Sequence, residues 1–321
     1  MKRILITGSL GQIGSELAIT LRSRYGADNV VATDIRGEGP ADVIGAGPFE
    51  KLDTRDGAAL AALVSKYKID TVYHLAALLS ATAEAAPQRA WEINMGGLLS
   101  VLEAARASGC AVFVPSSIAA FGPDTPRDKT PQDTLQRPTS MYGVTKVAGE
   151  LLLDYYHQKF GLDTRGVRFP GLISNKTLPG GGTTDYAVDI YYEAVKHNSY
   201  SCFLKADSYL DMMYIPDAIR ASIEVMEADP SRLKHRNAFN IASMSFCPED
   251  IAASIRKRKP GFTISYDKID PVRQAIADSW PRSMDDSVAR AEWGWKPEYD
   301  LEAMTADMLA ALEKRFGGMA K

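Results

Sequence analysis

The stretch Gly8-Ser9-Leu10-Gly11-Gln12-Ile13-Gly14 decides the fold class of this chain, because its three glycines stand between two different apolar patterns. Residues 3–7 before it form an apolar, β-branched run that predicts a strand. After it, Ile13, Leu17 and Leu21 recur every four residues and predict one face of a helix ending near residue 25. Glycines in such a turn let the backbone approach a pyrophosphate, which the N–H groups of the helix N-terminus bind. The stretch predicts a dinucleotide site, although three glycines by themselves also suit an ordinary strand-to-helix turn.

Strand-like and helical patterns alternate outward from this turn. Four further strands are predicted at residues 30–33, 69–75, 111–114 and 164–169, and helices at residues 57–67, 91–108 and 140–160. Continuous apolar strands separated by helices indicate a parallel sheet that is covered on both faces. We therefore expect an α/β protein: a Rossmann-type doubly wound parallel sheet with a smaller C-terminal α/β substrate lobe.

The second half of the chain has a different texture. Residues 170–185, with Gly180-Gly181-Gly182, predict a mobile loop; a helix at 186–197, a strand at 213–215 and helices at 216–226 and 301–315 follow. Trp293 and Trp295 are assigned to core packing. We predict a nucleotide-binding domain over residues 1–170, to which part of 210–245 returns, and a mainly substrate-binding lobe over 171–321.

Composition excludes several classes of protein. The 321 residues carry 37 Lys and Arg against 40 Asp and Glu, a net charge of −3, without a basic run that would bind nucleic acid. The longest apolar stretches are far shorter than the ~20 residues that span a bilayer, and no signal-peptide core follows Met1. We expect a cytoplasmic protein without a membrane or nucleic-acid partner.

Cysteine and histidine spacing argues against metal chemistry. Cys110, Cys202 and Cys247 are far apart, form no C-x-x-C motif and are expected to be buried and unpaired. The four histidines show no ligand spacing. No metal is predicted.

Asp34 follows the second predicted strand, where a carboxylate accepts hydrogen bonds from the adenosine ribose hydroxyls. Its charge would repel a 2′-phosphate, so NAD is predicted rather than NADP. Arg36 is the counter-argument, because an arginine there can pair with that phosphate. Leu52-Asp53 is expected at the end of a further strand before the helix at 57–67, and Asp53 is either an adenine contact or part of the start of that helix.

Tyr142 and Lys146 lie four residues apart in a predicted helix and so share one face. Tyrosine is a weak base, and we expect the Lys146 ammonium and a positive nicotinamide ring to lower its pKa. Ser117 ends a predicted strand and supplies a hydroxyl for the reacting oxygen. A Tyr-x-x-x-Lys pair also occurs on ordinary surface helices, but its combination with the glycine turn, Asp34 and Ser117 predicts a catalytic nicotinamide site.

These motifs resemble those of the extended short-chain dehydrogenase/reductase family, best known for sugar-nucleotide epimerases and dehydratases. The matches run through nearly the whole chain: Gly8–Gly14, Asp34, Leu52-Asp53, His74-Leu75-Ala76-Ala77, Asn94, Ser116-Ser117, Tyr142 with Lys146, and Asp217. The resemblance implies that Ser117 orients the substrate oxygen, that Tyr142 is the acid/base and that Lys146 binds the nicotinamide ribose. Asn94 is implied too, with bracing of a helix as the alternative. The predicted NAD-binding set is Gly8, Gly11, Gln12, Ile13, Gly14, Asp34, Arg36, Leu52, Asp53, Leu75, Ala76, Ala77, Asn94, Tyr142 and Lys146.

The chain departs from the sugar-nucleotide pattern after Phe169, where those enzymes usually have an Asn. Its residues 180–187, 211–215, 278–282, 293–295 and 299–301 are instead similar to the short-chain type of L-threonine 3-dehydrogenase. That family implies NAD-dependent oxidation of L-threonine at C3 to 2-amino-3-oxobutanoate, with Tyr142 as general base. The alternatives are a nucleotide-sugar epimerase or dehydratase and a non-catalytic NAD-sensing protein.

A small amino-acid site is implied by the same resemblance. The predicted substrate contacts are Ser80, Ser117, Tyr142, Thr183, Thr184 and Trp280. Thr183 and Thr184 also suit a helix cap, Ser80 a polar turn and Trp280 ordinary packing. Members of the superfamily commonly dimerise through the helices matching residues 91–108 and 140–160, so a homodimer is predicted, with Leu151, Leu152, Tyr155 and Tyr156 either in its apolar patch or in the core.

Overall fold

The computed structural model describes residues 1–176 and 182–316. Gly180 and Gly181, at the centre of the predicted mobile loop, lie outside them. The strands are β1 (Ile4–Thr7), β2 (Val30–Asp34), β3 (Phe49–Lys51), β4 (Thr71–His74), β5 (Ala111–Phe113), β6 (Ser116–Ser117), β7 (Thr164–Arg165), β8 (Val167–Phe169), β9 (Gly171–Ile173), β10 (Ser199–Ser201), β11 (Leu210–Tyr214), β12 (Phe239–Asn240), β13 (Met244–Phe246) and β14 (Thr263–Ser265).

The α-helices connect and cover these strands. They are α1 (Gln12–Tyr25), α2 (Ala41–Ile44), α3 (Gly57–Tyr67), α4 (Ser80–Ala85), α5 (Pro87–Trp91), α6 (Gly97–Ser108), α7 (Met141–Phe160), α8 (Tyr186–His197), α9 (Ile215–Glu227), α10 (Pro248–Arg258), α11 (Pro271–Ser279), α12 (Ser287–Trp293) and α13 (Leu301–Phe316). A π-helical turn, Glu92–Gly96, joins α5 to α6.

The main sheet has six parallel strands in the order β3-β2-β1-β4-β5-β7. The strand order reverses between β1 and β4, whose registers pair Thr7 with His74. Connections on the two sides of this point diverge, which opens a crevice at the carboxyl ends of the strands. The sheet confirms the predicted Rossmann-type α/β fold.

β1 shows why the strands are apolar throughout. Ile4 and Ile6 point into one core, which includes residues of α1 and α9. Leu5, between them, points into a second core with residues of α3, α6 and α7. All three side chains are completely buried, so burial on both faces leaves no polar alternation.

Smaller sheets extend from the main one. The parallel sheet β12-β8-β6 continues it, since the chain runs from β5 into β6 and from β7 into β8. β11 pairs in parallel with β9 and antiparallel with β13, and β10 pairs with β14. The strands of residues 210–246 are thus divided between two sheets, and the domain division at residue 170 stays a prediction.

Several segments differ from the sequence-based expectation. The predicted helix at 91–108 begins as the π-helical turn Glu92–Gly96, and α6 starts only at Gly97. Residues 164–169 form two strands, because Gly166 is where the chain changes sheet and a Cβ there would lie 2.2 Å from the Val114 carbonyl O. The predicted loop after Pro170 includes β9, which is held by pairing with β11. The predicted strand at 213–215 begins earlier, at Leu210, and ends where α9 begins.

Several other features concern buried side chains. Cys110, Cys202 and Cys247 are buried and free, as expected, and Trp295 is 1% exposed, with its indole N–H donating to the Ala242 carbonyl O.

Within residues 1–176 and 182–316, no helix is long and apolar enough to cross a membrane. Across the same two ranges, no cluster of side chains suited to hold a metal ion is found.

Candidate active site

The glycine turn packs directly against the end of β4. Gly8 has a φ of +68°, and a Cβ there would lie 2.7 Å from the backbone N of Ala76. A Cβ on Gly14 would lie 2.2 Å from the Gly8 carbonyl O. Only glycine fits these two positions, and the backbone of residues 11–14 therefore lines the cleft at the N-terminus of α1. This arrangement suits a pyrophosphate.

Asp34, at the end of β2, is 5% exposed and accepts hydrogen bonds from two directions. The Leu10 N–H donates to its Oδ2 (3.0 Å), and the Arg36 Nε donates to its Oδ1 (2.9 Å). Burial alone would raise the pKa of Asp34, but the hydrogen bonds from Arg36 and Leu10 outweigh it and hold that pKa below its ordinary value. The carboxylate is thus charged beside the glycine turn, and Arg36 is engaged by it.

Asp34 itself is not among the residues that line the cleft described below, and neither are Leu52, Asp53 and Asn94. Leu52 is buried, with its N–H donating to the Asp34 carbonyl O at 2.9 Å. Asp53 pairs with Arg55, the closest contact being 2.6 Å. Asn94 Oδ1 accepts from the Leu78 N–H at 2.8 Å. Asn94 Nδ2 donates to the Leu78 carbonyl O at 3.2 Å and to Thr145 Oγ1 at 3.1 Å. These hydrogen bonds suit the bracing role that was its alternative interpretation, and Asn94 lines a separate small cavity; its cofactor contact stays a prediction.

A cleft of about 400 Å³ brings together most of the other predicted residues. It extends from the glycine turn to β9 and to the segment that follows α11. Its predicted lining residues are Gly8, Gly11, Gln12, Ile13, Gly14, Arg36, Leu75, Ala77, Ser80, Ser117, Tyr142, Lys146, Thr183, Thr184 and Trp280. Ala76 lines the neighbouring small cavity instead.

Ser117 and Tyr142 meet in the middle of this cleft. Ser117 lies at the end of β6, and Tyr142 in the first turn of α7, which Ser140 caps by accepting from the Gly143 N–H. Burial raises the pKa of Tyr142 to about 12, and its hydrogen bond with Ser117 acts in the opposite direction. Without a bound cofactor the pKa of Tyr142 is therefore raised, whereas the sequence predicted that the Lys146 ammonium would lower it. The lowering expected from a nicotinamide ring stays a prediction.

Lys146 lies one turn further along α7 on the same side. Its Nζ donates to the Pro115 carbonyl O at 2.7 Å and lies 5.3 Å from the centroid of the Tyr142 ring. Burial lowers the pKa of Lys146 to about 8, and the charge of Glu150 opposes that effect. The ammonium is thus fixed beside Tyr142 without forming an ion pair with it.

The predicted substrate contacts come from three separate elements. Ser80 is the first residue of α4, not a residue that ends a turn. Thr183 and Thr184 belong to a 3-10 turn, Thr183–Asp185, that leads into α8; neither caps it through its side chain. Trp280 is 6% exposed and contributes to the core as well as to the cleft wall.

A two-stranded backbone contact fixes the segment that carries Trp280. The Arg282 N–H donates to the Arg127 carbonyl O at 2.7 Å, and the Thr130 N–H donates to the Ser283 carbonyl O at 2.9 Å. Arg127 Nε also donates to the Trp280 carbonyl O at 3.3 Å. The loop after β6 thus holds one wall of the cleft.

Eleven of the described lining residues are absent from the predicted site set: Leu10, Leu79, Pro115, Ser116, Ile118, Phe169, Pro170, Gly171, Leu172, Gly182 and Asp185. Leu10 and Ser116 lie inside motifs used for the sequence-based predictions, and Asp185 had a usable signal, a carboxylate beside two threonines. Most of the others are apolar residues or glycines with ordinary surroundings in the sequence.

The comparisons with known proteins agree with this geometry. Residues 4–242 match the family model described as the NAD dependent epimerase/dehydratase family. An uncharacterized epimerase/dehydratase of Staphylococcus saprophyticus is 58% identical over 98% of both chains.

Two solved structures are similar over nearly the whole chain. The L-threonine dehydrogenase from Clostridium difficile is 58% identical, with a TM-score of 0.96 over 98% of each chain. The holo form of the GalE-like L-threonine dehydrogenase from Cupriavidus necator is 56% identical, with a TM-score of 0.93 over 97% of this chain and 99% of that one. The glycine turn, the Asp34 carboxylate and these matches lead to one conclusion: this chain belongs to the NAD dependent epimerase/dehydratase family, and its cofactor is NAD.

Proposed function

We propose that this protein is an L-threonine 3-dehydrogenase, which oxidises the C3 hydroxyl of L-threonine and forms 2-amino-3-oxobutanoate. The observation that carries the proposal is that Ser117, Tyr142 and Lys146 line one cleft with the glycine turn, Thr183 and Trp280. The names of the two similar solved structures support the same substrate.

The roles of the catalytic residues follow from their chemistry. Ser117 and Tyr142 hydrogen-bond the C3 hydroxyl and orient it, and the Tyr142 phenolate oxygen takes its proton. NAD, when bound, supplies the acceptor for the hydride that leaves C3. Because burial raises the pKa of Tyr142 to about 12, the phenolate forms near neutral pH only with positive charge close to it. Because Lys146 does not lower this pKa in the protein alone, the positive nicotinamide ring is expected to supply that charge.

The sequence after Phe169 favours a small substrate over a nucleotide-linked sugar, because it lacks the Asn that sugar-nucleotide enzymes usually have there. Gly171, two residues further on, is packed closely: a Cβ there would lie 2.4 Å from Met212 Sδ and 2.7 Å from Thr184 Cγ2. Hydroxyls of Ser80, Thr183 and Thr184 would hold the carboxylate and ammonium of the amino acid, and Trp280 would enclose its methyl group.

The first test is the appearance of reduced-nicotinamide absorbance on mixing the protein with L-threonine and NAD. D-threonine with NAD and L-threonine with NADP are the matched controls. We expect NADH to form only in the mixture that contains both L-threonine and NAD, and not in either control. No rate in any mixture, from protein that still binds NAD, would overturn the proposal. A rise in melting temperature with a uridine nucleotide would then favour an epimerase or dehydratase, and inactivity toward every alcohol tested would favour an NAD sensor.

We further propose that the protein is a homodimer that pairs through α6 and α7. Leu151 and Tyr155 on α7 are 64% and 55% exposed, and Leu99 on α6 is 46% exposed. Tyr156, predicted with them, is 5% exposed and belongs to the core, where its hydroxyl donates to Glu103. Leu152 is half-buried. The remaining exposed side chains form an apolar face of the kind that a second copy would cover.

A further inference from the structure

Glu150 is a buried carboxylate that the proposed reaction does not use directly. It lies four residues after Lys146 on α7 and is 5% exposed. Its Oε1 accepts from Ser116 Oγ and from Arg168 Nε (3.0 Å), and its Oε2 accepts from Arg168 Nη2 and Gln136 Nε2 (both 2.8 Å). These four hydrogen bonds, two of which come from the bidentate Arg168, hold the carboxylate in one orientation.

The partners of Glu150 connect it to both sides of the catalytic pair. Ser116 directly precedes Ser117 in β6. Arg168 extends from β8, which pairs with β6 and places Phe169 beside Ser117 in the register. Arg168 is fixed in turn by the Gln132 carbonyl O and Asn240 Oδ1. Any movement of Glu150 would therefore be transmitted to the strand that ends at Ser117.

Glu150 also shares a small cavity of about 40 Å³ with Lys146. The charged or titratable side chains around it are His74 from β4 and Lys146 and Glu150 from α7. Burial, and then the charge of Lys146, lowers the pKa of His74 to about 3, so that ring is neutral. Beyond the cavity, Arg168 on β8 pairs with Glu150, the Tyr142 ring centroid lies 5.3 Å from Lys146 Nζ, and Asp154 lies one turn further along α7. Within the described part of the chain, Glu150 is the only carboxylate lining this cavity.

We propose that Glu150 is a positioning residue of the active site, which holds Ser117 in place through Ser116 and stabilises the Lys146 ammonium through its negative charge. This inference rests on the proposed function for its kinetic test. Arg168 compensates the buried charge, without which Glu150 would be costly to bury. The charge of Glu150 raises the pKa of Lys146 against the effect of burial, which agrees with this role.

Glu150→Gln tests the charge while preserving the size of the side chain. In the pH profile of kcat/KM for L-threonine, we expect the alkaline descent caused by loss of the Lys146 proton to move about one pH unit lower. Glu150→Asp keeps the charge and should keep the midpoint of that descent, although its shorter reach to Ser116 should lower kcat. Glu302→Gln, which removes an exposed ion pair with Lys257, is the matched control and should change neither the midpoint of the descent nor kcat.

A second readout does not depend on threonine. The affinity for NADH, measured by fluorescence over the same pH range, should decline at lower pH in Glu150→Gln than in the wild type, because Lys146 is proposed to bind the nicotinamide ribose. If the wild type does not oxidise threonine, the proposed function fails while this titration still tests Glu150. Should Glu150→Gln not fold, Glu150→Gln with Arg168→Gln leaves no unpaired buried charge and replaces it. An unchanged pH midpoint in both measurements overturns the inference, even if kcat falls.

Discussion

Thr7 Oγ1 and His74 Nδ1 are hydrogen bonded at 2.8 Å, across the two parallel strands at which the order of the main sheet reverses. Both side chains are buried beneath the cleft. Because burial and Lys146 lower the pKa of His74 to about 3, this ring is neutral in the folded protein and takes up a proton on unfolding at mildly acidic pH.

The first prediction concerns stability and pH. Between the unfolded pKa of about 6.5 and the folded value, the unfolded state binds more protons, so stability falls as the pH falls. We expect this one group to cost about 1.4 kcal/mol per pH unit below pH 6. In urea unfolding at pH 7 and pH 5, His74→Gln should lose less stability between the two pH values than the wild type. His197→Gln, at an exposed site on α8, should behave like the wild type, and an equal loss in all three proteins would contradict the assignment.

Removal of the proposed general base gives the second prediction. Tyr142→Phe should lower kcat at least about 10³-fold while NAD affinity stays within about threefold, because only the proton acceptor is lost. Absorbance kinetics and a NADH fluorescence titration measure the two quantities. Loss of NADH binding in this variant would show that Tyr142 has a structural role instead.

Cofactor selectivity is the subject of the third prediction. Asp34→Ala should weaken NAD binding and release Arg36, so the ratio of kcat/KM for NADP to that for NAD should rise at least about tenfold. Asp53→Ala breaks a second Asp-x-Arg pair of the same local geometry, with Arg55. That control should leave the ratio unchanged, whether or not it weakens binding of both cofactors through the adenine. A ratio that rises equally in the two variants would refute the role of Asp34.

The wall formed by Trp280 gives the fourth prediction. Trp280→Ala should raise the KM for L-threonine about tenfold or more, with little change in the KM for NAD, because the enclosed methyl group loses its packing partner. Arg127→Ala, which removes the hydrogen bond to the Trp280 carbonyl O, should raise the same KM by a smaller factor. Arg282→Ala removes only an exposed ion pair with Asp128 and is the control. Similar effects on both KM values would place Trp280 outside the substrate site.

The fifth prediction tests the proposed dimer. Leu151→Glu puts a charge on the most exposed of the three apolar side chains named above, and analytical ultracentrifugation should show a shift from dimer to monomer. Val272→Glu, on a side chain that is 67% exposed in α11, is the matched control and should stay dimeric. A wild-type protein that sediments as a monomer at micromolar concentration would contradict the proposal directly.

Local sequence was sufficient to predict an element wherever the residues that determine it lie within the same segment. The glycine turn could be predicted because Gly14 meets the backbone of its own turn, at Gly8 and Ser9, and Gly8 has a positive φ. α3 and α8 have the predicted bounds, since apolar periodicity and terminal residues act within one helix. The family and its NAD cofactor followed from short motifs of this kind.

Other features depended on contacts between distant segments, which no local pattern encodes. β9 is a strand only because β11 lies beside it, and the hydrogen bonds to Asn94 are made with Leu78 and Thr145. The direction of the Tyr142 pKa shift could not be predicted either, because desolvation depends on how much protein surrounds a group and not on its neighbours in sequence.

The sequence by itself determined the α/β class, the glycine turn, the Asp34 carboxylate and the order of Ser117, Tyr142 and Lys146, since hydrophobic periodicity and turn chemistry operate over a few residues. Only the tertiary structure decided that Trp280 closes the same cleft, that Arg127 holds its segment, and that Glu150 lies buried against Ser116 and Arg168. Burial and electrostatic pairing are properties of the packed chain, in which residues far apart in sequence exclude water from one another.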